Sequence, residues 1–130
     1  MLETRFGADG RQEPGLQRLL QTIAKYPSLT SAEESALLRR IRHGARDPLD
    51  RLINANLQRV VSIAGEFLGQ GLGFMDLIAE GTLGLISAAR HFDERRFRHF
   101  TRYAEGRIRE QILMALADLA PQPRLEQSGG

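Results

Sequence analysis

Cysteine and tryptophan are both absent from this chain of 130 residues, and tyrosine occurs only at Tyr26 and Tyr103. Without cysteine there is no disulfide framework, no thiol nucleophile and no cysteine-ligated zinc site. No apolar run approaches the roughly 20 residues that a bilayer-crossing helix needs. The N-terminus, MLETRFGADG, also lacks the apolar stretch of a secretory signal. Histidine is scarce, and His43, His91 and His99 fall at no helical spacing with a carboxylate that would make a metal motif. The glycine-rich piece Gly69-Gln-Gly-Leu-Gly73 has the letters of a phosphate loop but neither the preceding strand nor the lysine, so it reads as a loop between helices. These absences predict a soluble cytoplasmic protein with no membrane span, no metal and no cofactor. With no catalytic triad either, the chain is expected not to be an enzyme.

What the sequence does contain is helical periodicity. Hydrophobic residues make up 42% of the chain, enough for one core in one domain. Leu16, Leu19, Leu20 and Ile23 share one helical face, and Pro27 closes that segment. Thr30-Ser-Ala-Glu33 matches a capping box, in which the threonine hydroxyl and the glutamate carboxylate satisfy each other's backbone N–H. Leu37, Leu38 and Ile41 follow, with Gly44 as a left-handed stop. Asp47-Pro48 signals a second start, Asp47 as the cap and Pro48 as the first helical residue. A long helix is predicted from there to Gly69 and Gly71. A further helix runs from Phe74 to about Arg90 with Leu77, Ile78, Leu83, Leu85, Ile86 and Ala89 as its apolar set. The last begins near Phe100, carries Tyr103, Ala104, Ile108, Ile112, Leu116 and Leu119, and stops at Pro121. No segment alternates with period two. The expectation is an all-α compact bundle of four to five helices over residues 15–120, with a disordered polar segment at 1–14 and a flexible tail at 121–130.

Charge is distributed unevenly. The formal net charge is only +2, too small to imply a nucleic-acid partner by itself. Residues 90–109, however, hold seven arginines against Asp93, Glu94 and Glu105, whereas residues 52–89 hold only Arg59 against Glu66, Asp76 and Glu80. Phe92, Phe97, Phe100 and Tyr103 are interleaved with that arginine run. Guanidinium on phosphate and ring on unstacked base is how single strands are held. Phe92 and Phe100 read better as core anchors, and Phe97 and Tyr103 as exposed rings. Upstream, Gly81 and Gly84 interrupt a helix at a cost of about 1 kcal/mol each relative to alanine. Such glycines let another helix approach closely, within the domain or on a partner. Asp76 and Glu80, at i and i+4, place two carboxylates beside them.

An ordered string of these residues carries a family resemblance. Asn54-Ala-Asn-Leu57, Val60-Val-Ser-Ile-Ala64, Asp76-Leu-Ile-x-Glu-Gly81, Gly84-Leu85, Phe92-Asp93, Arg95-Arg96, Phe100-Thr101, Tyr103-Ala104 and Ile108-Arg109 resemble the conserved helical region 2 of bacterial sigma-70 family factors. Tyr26-Pro-x-Leu-Thr-x-x-Glu-Glu34 and Arg39-Arg-Ile-Arg-x-Gly44 resemble the preceding region 1.2. Together they cover about four fifths of the chain.

The resemblance implies two surfaces. Asp76, Leu77, Ile78, Glu80, Gly81 and Leu85 match the segment that docks on the clamp helices of the beta-prime subunit of core RNA polymerase, with Ala79 and Thr82 where the family usually has Gln and Asn. Arg95, Arg96, Phe100, Thr101, Arg102, Tyr103, Arg107, Arg109 and Glu110 fall in the part that captures the unstacked non-template strand of the promoter minus-ten element. Here Gly106-Arg107 replaces the usual tryptophan pair, and Glu110 replaces the glutamine that reads the upstream base pair. Losing two stacking rings removes roughly 1–3 kcal/mol per base. The implied function is a sigma-like initiation domain that binds core polymerase and promoter DNA. Its alternative is a sigma-derived regulator or split-sigma subunit that docks on core without sequence-specific melting. An anti-sigma or helper protein is a further implied partner. With no helix-turn-helix after Leu119, the chain is expected to be a fragment of a longer factor or a stand-alone region 2 protein.

Overall fold

Five helices follow one another in the computed structural model, which describes residues 15–119: α1 (Leu16–Ile23), α2 (Ser31–Arg42), α3 (Asp47–Gly65), α4 (Phe74–His91) and α5 (Phe100–Leu119). There is no β-strand among the described residues, so the all-α reading holds. The polar ends expected at 1–14 and 121–130, and the stop at Pro121, lie outside the described residues.

Local signals account for most helix ends. The Thr30 hydroxyl accepts from the Glu33 backbone N–H at 3.1 Å, and the Thr30 N–H donates to the Glu33 carboxylate at 2.8 Å. That reciprocal pair satisfies two otherwise orphan donors at the start of α2. Gly44, with φ of 89°, takes the left-handed conformation just past its end. Two boundaries differ from the periodicity. Arg46, not Asp47, occupies the cap position of α3, and Asp47 and Pro48 form its first turn. The Asp47 carboxylate still lies where the helix dipole favours it. The same helix ends at Gly65 rather than Gly69, and Phe67 and Leu68 lie half-buried in the turn that follows.

The core forms where α4 packs along α5 and across α3. Leu52, Val60, Leu77, Leu85, Ile108 and Ile112 are fully buried there. Gly81 and Gly84 make this contact possible. A Cβ at Gly81 would lie 2.9 Å from Val60 Cγ1, and one at Gly84 would lie 2.9 Å from Ile108 Cα. Both glycines are therefore notches for the domain's own helices. Asn56, the one buried polar side chain described, donates from Nδ2 to the Leu52 carbonyl at 2.8 Å and accepts from Arg59 at 3.1 Å. Burial without those bonds would be costly. Leu83 and Leu119 depart from the predicted apolar faces and stand exposed.

Candidate nucleic-acid interface

The loop between α4 and α5 is pinned to the core by two rings. Phe92 and Phe100 are both buried and meet edge to face, centroids 5.4 Å apart at 86°. Between them, Asp93 organises the turn. Its carboxylate accepts the Arg95 backbone N–H at 2.9 Å, and its carbonyl accepts the N–H groups of Arg96 and Phe97 at the same distance. The Arg95 N–H bond is the main reason the Asp93 carboxyl sits below the ordinary carboxylate range. This turn brings Phe97 down onto Tyr103 in the first turn of α5. The two rings stack at a centroid distance of 4.4 Å, tilted by 36°.

A shallow groove of about 790 Å³ opens beside this stack, lined by Arg96, Phe97, Arg98, His99, Arg102, Tyr103, Gly106, Arg107 and Glu110. The Arg96 guanidinium lies over the Phe97 ring at 5.7 Å, and that of Arg107 over Tyr103 at 6.0 Å. Arg107 is held in place. It donates to the Ser87 hydroxyl at 2.5 Å and to the Tyr103 hydroxyl at 3.5 Å, and it pairs with Glu110 at 3.6 Å. Arg96, Arg98 and Arg102 have no carboxylate partner among the described residues. Their charge is therefore available to a polyanion. A Cβ at Gly106 would meet nothing within 4 Å, so the groove is open at this residue.

The residues expected to contact DNA are thus not all in one place. Arg96, Arg102, Tyr103, Arg107 and Glu110 converge on the groove. Arg95 points away, 83% exposed, and is paired with Asp93 at 3.4 Å. Thr101 lines a neighbouring cleft with Glu34, Leu38, Arg98 and Glu105. There, burial pushes the Glu34 carboxyl above its ordinary range, partly offset by Arg59. Phe100 is only 3% exposed and offers no ring face outward. Arg109 lies on another side of α5, where it grips Glu66 with two bonds at 3.0 and 3.3 Å. Those bonds raise its affinity for the proton further. Beside it, Arg59 pairs with Glu105 at 3.2 Å, so two ion pairs tie α3 and its C-cap Glu66 to α5.

The second expected surface is on α4. Asp76 is exposed, and Glu80 is half-buried with its carboxylate accepting from Gln111 at 2.9 Å. Leu77, Ile78, Gly81 and Leu85 lie inside the domain, covered by its own helices. The outward surface of this helix is instead Asp76, Ala79, Glu80 and Leu83, with Leu83 53% exposed.

The sequence reading took Phe97 and Tyr103 as exposed rings, whereas both are half-buried against each other; it left out Arg98 and His99 of the groove and Leu83 of the α4 surface. An aromatic inside an arginine run was a signal for Phe97. Nothing in the letters separates Arg98 from Arg95, because the difference is which of them a carboxylate neutralises.

Residues 52–121 match the family described as Sigma-70 region 2. Over 106 residues the chain is 44% identical to the "RNA polymerase sigma factor SigA" of Clostridium acetobutylicum. It is 42% identical to proteins of the same name from Bacillus sp and Listeria monocytogenes. In each case 82% of this chain is covered but only 28% of the relative, so the chain spans less than a third of the length of these proteins. The family match takes in most of α3 together with all of α4, the aromatic turn and α5: the chain belongs to the sigma-70 family and carries its region 2.

Proposed function

We propose that this domain acts in transcription initiation, docking on core RNA polymerase through α4 and holding single-stranded promoter DNA in the groove at the start of α5. The observation that carries this reading is the groove itself, where three arginines without carboxylate partners surround the stacked Phe97 and Tyr103. Unpaired guanidinium groups attract phosphate, and adjacent ring faces suit unstacked bases. The strand is the non-template strand of the minus-ten element. On α4, Asp76, Glu80 and Leu83 combine two carboxylates with an exposed apolar side chain, a fit for a basic, partly apolar helical surface such as the beta-prime clamp helices.

Glu110 favours a second reading. A carboxylate in the groove opposes phosphate, and Gly106 contributes no ring. On that reading the domain is a polymerase-directed regulator that docks without selecting a promoter sequence. The two are separated by measuring binding of the chain, with and without core RNA polymerase, to a fluorescent non-template minus-ten oligonucleotide and a scrambled control. Core-dependent binding that prefers the minus-ten sequence supports the initiation role. Core binding with no preference between the oligonucleotides replaces it with the regulator.

A further inference from the structure

We infer that the end of the bundle where α2 and α4 both stop is a second nucleic-acid surface, which grips the phosphate backbone of double-stranded DNA without reading its sequence. It lies outside the groove and outside the α4 docking surface, and goes beyond both of those readings.

The eight residues from Arg39 to Arg46 hold four arginines and His43 and no acidic residue. Arg90 and His91 add two basic side chains in the last turn of α4. The Arg42 guanidinium donates to the Phe92 carbonyl at 3.4 Å, which brings the end of α2 against the end of α4. All of these basic side chains are exposed. A helix dipole and its orphan carbonyls favour basic residues in a last turn, and that accounts for His43, His91 and Arg42. His43 donates to the Arg39 carbonyl and His91 to the Ser87 carbonyl, each from Nδ1 at 2.8 Å, while Arg42 takes Phe92. Arg39, Arg40, Arg46 and Arg90 cap nothing. Among the described residues their side chains make no hydrogen bond and no ion pair. The acidic groups at this end are engaged elsewhere. Asp47 and Asp50 lie in the first turn of α3, where its dipole favours them. Asp93 holds the backbone N–H and the guanidinium of Arg95, and Glu94 lines the cleft beside Arg98.

The make-up of the surface selects its partner. Protein interfaces concentrate apolar and aromatic side chains at their centre and are depleted in charge there. The exposed large apolar side chains described are Tyr26, Leu83, Leu113, Met114 and Leu119, and none belongs to these segments. Single strands are held by rings on which their bases stack, and the one phenyl ring here, Phe92, is buried. What remains is charge alone. That suits a duplex, whose bases are turned inward and whose phosphates face out. Contacts of this kind position a protein on DNA and carry no sequence information. The aromatic groove and the arginine end thus divide the work, one for the strand and one for paired DNA.

The test titrates the full chain into a fluorescent blunt-ended duplex of arbitrary sequence at several salt concentrations. The wild type is expected to bind with a steep salt dependence. Changing Arg40→Gln, Arg46→Gln and Arg90→Gln together is expected to lower the slope of log K against log salt by about 2.7, at about 0.9 per phosphate contact. The same three positions changed to Lys keep the slope, because a point charge also serves phosphate. The melting temperature of the Gln variant stays at the wild-type value, since these guanidinium groups hold nothing within the domain. Its salt slope on the single-stranded minus-ten oligonucleotide is unchanged, because Arg96, Arg98 and Arg102 remain. An unchanged duplex slope in the Gln variant overturns the inference. So does an equal loss on duplex and single strand, which would make all the arginines one undivided polyanion surface. Absence of duplex binding by the wild type overturns it as well, and weaker pull-down of core RNA polymerase by the Gln variant would then assign the surface to an acidic protein. Arginine-dependent duplex binding by a chain that ignores the single strand keeps this surface and removes the reading of the groove.

Discussion

Gly84 of α4 faces the backbone of Arg107 in α5 so closely that a Cβ on Gly84 would stand 2.6 Å from the Arg107 carbonyl oxygen. This contact places Arg107 at the groove and joins α4 to α5. Gly84→Ala must push the two backbones apart, because neither atom belongs to a flexible side-chain end. The expected destabilisation is about 1–3 kcal/mol or more. Gly106, the residue just before Arg107, would place a Cβ within 4 Å of nothing and behaves oppositely. Gly106→Ala is expected to stabilise α5 by up to about 1 kcal/mol. Urea denaturation of the two variants checks both signs.

Asp76 and Leu83 lie on the outward surface of α4 and have few structural duties, so substitutions there test docking rather than folding. Asp76→Arg and Leu83→Asp are each expected to weaken the pull-down of core RNA polymerase by about tenfold or more, since charge mismatch and loss of apolar contact act directly at an interface. Their melting temperatures should stay close to wild type. Undiminished pull-down by both variants would remove α4 as the docking surface.

The arginines of the 90–109 run divide by pairing. Arg98→Ala and Arg102→Ala are each expected to lower the salt slope of single-strand binding by about 0.7, one phosphate contact apiece. Arg109→Ala is expected to leave that slope unchanged, because its guanidinium is committed to Glu66. It should instead cost at most about 1 kcal/mol of stability, as half-exposed ion pairs do. Titrations of the oligonucleotide at several salt concentrations separate the two classes.

Glu33 and Glu34 are neighbours with opposite pH behaviour. The Thr30 backbone bond lowers the Glu33 pKa, so its contribution is complete above the ordinary glutamate range and fades as the pH falls through the lowered value. Burial raises that of Glu34, so the folded state favours its protonated form. Its contribution is present in acid and is lost as the pH rises through the raised value. Glu34→Gln is therefore expected to be more stable than wild type near neutrality and equal to it below about pH 4. Thr30→Ala, which removes the cap, should cost about 1 kcal/mol near neutrality. Denaturation series at the two pH values read out all of these.

The sequence by itself determined the helices and much of their limits. The capping box at Thr30 and Glu33, the left-handed Gly44 and the i, i+3, i+4 spacing of the leucines and isoleucines are local terms, and local terms are legible in the letters. Periodicity also assigned Leu83 to a buried face and carried α3 past Gly65, because it reads the polarity of a face and not whether another helix covers it. Only the tertiary structure decided that Gly81 and Gly84 serve α3 and α5 within the domain, that Leu77 and Leu85 are core, and that Phe97 lies against Tyr103. Above all it decided which arginines remain available. Arg109 finds its carboxylate 43 residues away and Arg59 finds one 46 residues away, whereas Arg96, Arg98 and Arg102 find none among the described residues. The fate of a charge depends on what the fold brings within about 4 Å of it, and no reading of neighbours along the chain contains that distance.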